Sequence, residues 1–88
     1  MKVAVEISMY PLNEQYEAPI IAFIENLRQE KNIEVATNEL STQVAGEYDL
    51  VMDTIKTAIG NTFRTAGTCS FVLKVLNVDI QPGQAVEI

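Results

Sequence analysis

An 88-residue chain is the length of one domain, and a chain that short buries only roughly 60–65% of the surface its unfolded form exposes. Six Lys and Arg against twelve Asp and Glu give a formal net charge of −6 with no basic stripe, which disfavours nucleic acid and anionic lipid alike, because both are held through cations. Apolar residues make up 48% of the sequence, too many for a disordered segment and more than a small domain hides by itself, so self-association is the expected outlet.

No apolar run approaches the roughly 20 residues that a membrane-spanning helix needs. Cys69 is the sole cysteine and closes no internal disulfide, and Met1-Lys2 leads into strand-like alternation rather than the apolar stretch of a signal peptide. The expectation is a soluble cytoplasmic protein without a membrane or nucleic-acid partner.

From Lys2 to Tyr10 the residues alternate, with Val3, Val5, Ile7 and Met9 on one side and Ala4, Glu6, Ser8 and Tyr10 on the other, which predicts a half-buried strand. Pro11 lacks a backbone donor and is expected to end it. A helix follows around Tyr16 to Gln29, with Pro19 in its first turn and Ile20, Phe23, Ile24 and Leu27 at helical spacing. Ile33 to Asn38 alternates as a second strand, and a tight link at Asn38-Glu39 leads into a third, Leu40 to Ala45. Asn tolerates the backbone angles of such a link, so a β-hairpin is the simplest reading.

Gly46 is expected to break the third strand, with Glu47 and Asp49 in the first turn of the next helix, where the helix dipole favours carboxylates. Leu50, Val51, Ile55, Ala58, Ile59 and Phe63 are the predicted buried face, Gly60-Asn61 weakens the helix end, and Thr65 to Thr68 is a loop. The last strand, Cys69 to Val78, is apolar on both sides, which usually means cover on both sides. Residues 79–88 read as a tail or, from Ala85 to Ile88, an extra edge strand.

The order β-α-β-β-α-β predicts one ferredoxin-like α+β domain over residues 1–88, a four-stranded antiparallel sheet with two helices on one face. The other face would carry Ala4, Glu6, Ser8, Tyr10, Gln43, Ala45, Val72, Lys74 and Leu76. That mixture is too apolar for water and too polar for a plain core. It suits contact with a second copy, as a homodimer or a dimer of dimers, around a small ligand.

Catalysis finds little support. The chain has no His, the commonest general acid–base and transition-metal ligand, Cys69 lies in an apolar strand pattern, and the four glycines match no phosphate loop. Glu47 and Asp49 do not share a helix face, so dipole compensation explains them better than a metal does. The candidate residues are instead polar groups at strand ends, Ser8, Tyr10, Asn38, Ser41 and Thr42, expected to gather near the start of the second helix. Ser41 and Thr42 also read as ordinary turn residues, and Tyr10 as a lid on the core. Glu6, in mid-strand, needs a partner, either Lys74 on the neighbouring strand or a ligand's amino group.

The run Ser8-Met9-Tyr10-Pro11-Leu12, followed by Leu40-Ser41-Thr42 and then Gly46, Asp49 and Val51, resembles the YkoF-like family of thiamin- and hydroxymethylpyrimidine-binding proteins, from the first strand through the second helix and more weakly after Phe63. The resemblance implies non-catalytic binding of thiamin or its hydroxymethylpyrimidine moiety, with no further cofactor, by a carrier or sensor. It points to Ser8, Tyr10, Ser41 and Thr42 as ligand-binding positions; Glu6, Asn38 and Glu47 join them on physical grounds. A chain with one domain, where the namesake has two in tandem, would take its second half from another subunit. The alternative is a homo-oligomeric interaction module that binds another small metabolite or none.

Overall fold

The computed structural model describes residues 1–84. It contains β1 (Lys2–Pro11), α1 (Glu17–Arg28), β2 (Glu34–Thr37), β3 (Thr42–Glu47), α2 (Tyr48–Thr65) and β4 (Cys69–Leu76). The four strands form one antiparallel sheet in the order β2-β3-β1-β4, so the ferredoxin-like α+β architecture is the one expected from the sequence.

The period of two in β1 decides which face is covered. Val3, Val5 and Ile7 are each at most 2% exposed, and they pack with Val44 of β3 against Phe23 and Leu27 of α1 and Val51, Ile55 and Ala58 of α2. Phe71 of β4 joins this layer through Phe23, their ring centroids 4.9 Å apart, and Phe63 meets the same ring edge-on at 5.7 Å. Phe63 itself is 54% exposed and Thr62 takes the buried place at the end of α2, its hydroxyl satisfied by the Ala58 carbonyl at 3.1 Å. The helical face therefore rotates away from Phe63 in the last turn.

Several boundaries differ from the expected ones for local reasons. Pro11 belongs to β1, opposite Cys69; β3 has already ended alongside Ile7, so the donor Pro11 lacks is not needed there. Gly46 does not break β3 but pairs with Val3 inside it, because α2 packs too closely for a side chain. A Cβ at Gly46 would lie 3.2 Å from Val51 Cγ2 and 3.3 Å from Ile33 Cγ2. Among the described residues no non-glycine has a positive φ, so Asn38 shapes the β2–β3 hairpin through its side chain and not through an unusual backbone angle. Glu47 ends β3 as the residue preceding α2 and forms no side-chain cap on it, leaving Asp49 as the acid in the first turn.

Residues 79–84 do not form a strand. They lie along the face the helices leave open, where the Gln81 side chain donates to Glu34 Oε2 at 2.6 Å and the Gly83 N–H donates to Gln43 Oε1 at 2.7 Å. Ala4 and Ala45, expected at a subunit seam, are each 7% exposed already, beside Ile80 and Pro82 of this segment. The suggested extra strand, residues 85–88, lies outside the described residues. β4, by contrast, is thinly covered: Val72 and Leu76 on the face without helices and Leu73 and Val75 on the helix side are all exposed, since the helices meet this edge strand mainly at Phe71.

Replacing Gly46 by Ala forces a methyl group against Val51 and Ile33 and is expected to lower stability by about 1–3 kcal/mol, read as a reduced denaturation midpoint with an unchanged slope.

Candidate functional site

The hairpin joining β2 to β3 is built by Asn38. Its Oδ1 accepts the N–H groups of Leu40 at 2.8 Å and Ser41 at 3.1 Å, while its own N–H donates to the Ser41 carbonyl at 3.0 Å, which closes the chain in four residues. Tight closure sets Thr37 directly opposite Thr42. Their hydroxyl oxygens are 3.0 Å apart, and Thr37 Oγ1 lies 3.4 Å from the Ser41 carbonyl, to which it can only donate. Either hydroxyl can donate to the other; when Thr37 donates to the Ser41 carbonyl, Thr42 donates to Thr37 and keeps its own lone pairs free to accept.

Thr42 is 7% exposed and faces the helices, on the same side as Ile7. Between this hairpin and α1 lies a pocket of about 120 Å³, walled by Met9, Ile20, Phe23 and Ile24 and rimmed by Asn38 and Leu40. Leu40 is 89% exposed at the mouth. The pocket thus joins apolar walls to a hydroxyl pair and a backbone turn at one end. A flat ring with a polar edge matches that arrangement, and the volume falls well below the about 300 Å³ at which pockets for drug-sized ligands begin.

The seven residues singled out in the sequence fall into three places. Asn38, Ser41 and Thr42 line the hairpin pocket. Glu6, Ser8 and Tyr10 lie on the opposite, open face of β1, with Tyr10 53% exposed. Ser41 connects the two places, since it borders the pocket while its hydroxyl donates to Glu6 Oε2 at 3.1 Å; the other Glu6 oxygen lies 3.4 Å from Lys74 Nζ, the partner foreseen for it.

Glu47 stands apart at the far end of β3. It is six positions along the strand from Ser41, roughly 20 Å at about 3.4 Å per residue. Its carboxylate meets the N-terminal amine at 3.0 Å and Lys2 at 3.6 Å, and those cations, the amine above all, hold its pKa below the usual 4.5. The start of α2 is at that same end, where the Tyr48 N–H donates to the Met1 carbonyl at 2.9 Å. Strand-end polar residues near the start of α2 are therefore two groups, not one, because antiparallel β3 runs back to the beginning of β1 before α2 starts.

Thr37 and the apolar pocket walls were not among the candidates. Their signal was present in the spacing: residues flanking a four-residue hairpin face each other, and one side of α1 must lie over them. Among the described residues no group of three or more His, Cys, Asp or Glu could hold a metal, and no helix is long and apolar enough to cross a membrane. Burial pushes the Cys69 thiol above its ordinary pKa of 9.0, so it is protonated near neutrality.

Residues 5–88 match the thiamine-binding protein family. The chain belongs to that family. No protein of curated function matches it significantly. Among solved structures, a Streptococcus pneumoniae protein shares 22% identity and a TM-score of 0.81 over 91% of this chain and 90% of its own. A hypothetical protein of Methanocaldococcus jannaschii shares 21% and 0.77 over 94% and 87%, and a candidate thiamine biosynthesis/salvage protein of Thermotoga maritima shares 23% and 0.76 over 98% and 90%. At these identities the likeness is one of fold. Family membership makes this a chain of the thiamine-binding type.

Replacing Asn38 by Ala removes the acceptor that gathers two backbone N–H groups and is expected to destabilise the domain by roughly 1 kcal/mol, with faster amide exchange confined to residues 38–42.

Proposed function

We propose that the protein binds thiamin or its hydroxymethylpyrimidine moiety without chemical change, as a cytoplasmic carrier or sensor, and that the pyrimidine ring enters the pocket between α1 and the β2–β3 hairpin. One observation carries this reading: the Thr37–Thr42 hydroxyl pair lies at the polar end of an otherwise apolar slot of about 120 Å³ in a member of a thiamine-binding family. A ring amino group would donate to Thr42 Oγ1, whose own proton is held by Thr37. The faces of the ring would meet Phe23 and Met9, and Leu40 would be covered at the mouth. The slot is too small for the whole of thiamin, so the thiazolium would stay outside, in the field of a chain of net charge −6. Asn38, Ser41 and Thr42 are then the ligand-side residues, and Glu47 is not.

The residue types support the absence of turnover. The chain has no His, and its one thiol is protonated near neutrality. Titration calorimetry with thiamin and with hydroxymethylpyrimidine is expected to show saturable binding, with both compounds recovered intact by chromatography. Thr42→Val keeps the shape but removes the acceptor and should weaken binding by about 1–2 kcal/mol. An unaltered affinity would remove Thr42 from the site, and the absence of heat with either compound would defeat the reading.

A homodimer, or a dimer of dimers, is part of the same proposal. Val72, Leu73, Val75 and Leu76 are exposed on both faces of one edge strand whose sole charge is Lys74, a surface that self-pairing would bury. The same patch favours the second reading, an interaction module with another ligand or none. Leu76→Lys is expected to convert the assembly to monomer with its circular dichroism retained; light scattering that finds the unaltered protein monomeric at micromolar concentration would defeat the oligomer.

A further inference from the structure

A second cavity lies on the other side of the sheet. It measures about 210 Å³, and its floor and walls are Ala4 and Leu76 with Ile80 and Pro82 of the crossing segment above them. Three polar side chains border it: Glu6, Lys74 and Gln43. The segment that roofs it is held in place at two points, Gln81 on Glu34 at 2.6 Å and Gly83 on Gln43 at 2.7 Å. Gly83 also has a φ of +73°, and a Cβ there would lie 3.0 Å from the Ala36 Cβ, so the close approach to the sheet depends on glycine.

The polar groups specify a ligand class. Glu6 Oε1 and Lys74 Nζ are 3.4 Å apart, one charge of each sign at the same wall, which favours neither a simple cation nor a simple anion. The Gly83 N–H fixes Gln43 Oε1 as the acceptor end of its amide, which leaves the Nε2 end as a donor. An acceptor carboxylate beside an ammonium and an amide donor, next to an apolar recess, matches a zwitterion with an apolar body. We infer that this cavity is a binding site for a small apolar α-amino acid, its ammonium on Glu6, its carboxylate on Lys74 and Gln43, and its side chain beneath Ile80 and Pro82. The ligand would replace the Glu6–Lys74 pair by two ion pairs, while the Ser41 hydroxyl, 3.1 Å from Glu6 Oε2, holds the carboxylate in position. The site lies on the opposite face of β1 from the hairpin pocket and shares with it only Ser41, which borders that pocket and bonds Glu6 here.

Amide spectra of the full-length protein titrated with leucine, isoleucine, methionine and phenylalanine provide the test. At least one is expected to shift the signals of Glu6, Gln43, Lys74 and residues 79–81, 83 and 84 to saturation and leave Thr37 and Thr42 unmoved. N-acetyl-leucine and leucine amide, each lacking one charge, should bind roughly tenfold more weakly or less, and Glu6→Gln should weaken leucine by a similar factor. Ile80→Ser, at an exposed roof position that leaves the sheet core untouched, should weaken all four. Equal binding of leucine and N-acetyl-leucine would overturn the inference, as would shifts confined to the hairpin or no shifts with any of the four. Thiamin binding measured in the same samples reports on the hairpin pocket independently, since occupancy of one face should not displace a ligand from the other.

Discussion

β1 is hydrogen-bonded along both edges, and everything else in the fold takes its position from that. Glu6 has Gln43 opposite it on one side and Lys74 on the other, while Ile7 has Thr42 and Leu73. Val5 and Ile7 are therefore each the centre of a row that spans three strands. A slip by one residue would exchange Val3, Val5 and Ile7 for Ala4, Glu6 and Ser8 beneath the helices, which the core could not accept. Register, core and the facing of every candidate residue are one decision.

That decision separates chemistry by face and by end. On the helix side the hairpin end carries the Thr37–Thr42 pair and an apolar slot, and on the open side the same strands carry Glu6, Lys74 and Gln43. Ser41 sits at the edge between them, one residue before β3 begins, and its hydroxyl is held by Glu6. A carboxylate in mid-sheet would be costly alone; with Lys74 on one oxygen and Ser41 on the other it is satisfied while still partly open to solvent. The exposed Glu6–Lys74 pair itself contributes little stability, on the order of 0–1 kcal/mol, so its residue types are not explained by folding energy.

The two halves of the chain are also unequal in how well they are covered. β3 lies between β1 and β2 and beneath α2, and Val44 is fully buried. β4 has β1 on one side and an open edge on the other, and is held to the core mainly through Phe71 and its contacts with Phe23 and Phe63. An exposed edge strand with apolar residues on both faces is a liability that sheet proteins commonly cover or blunt. The segment after β4 turns back over the centre of the sheet, and so covers Ala4 and Ala45, reaches β4 only at its Lys74–Leu76 end and leaves Val72 open.

Local pattern alone determined the element order, the alternation of β1, the amphipathic face of α1 and the family, because each is expressed over a few residues: a period of two, a period of 3.6, a hairpin turn, a short motif. The pairing of Glu6 with Lys74 was also legible once the strand order was assumed, since residues opposite each other in a sheet follow from register. Tertiary structure decided the rest. Gly46 looked like a strand break, but its role is to let α2 approach β3, and that contact comes from an element later in the chain. Glu47 looked like a neighbour of Ser41 at six residues' distance, but an extended strand carries it to the other end of the sheet. Thr42 and Ser41 are adjacent in sequence and face opposite sides, so a motif that reads as one unit contributes to two surfaces. The crossing of residues 79–84 over the open face had no periodic signal at all, since it depends on two side-chain hydrogen bonds and one close glycine contact with strands β2 and β3.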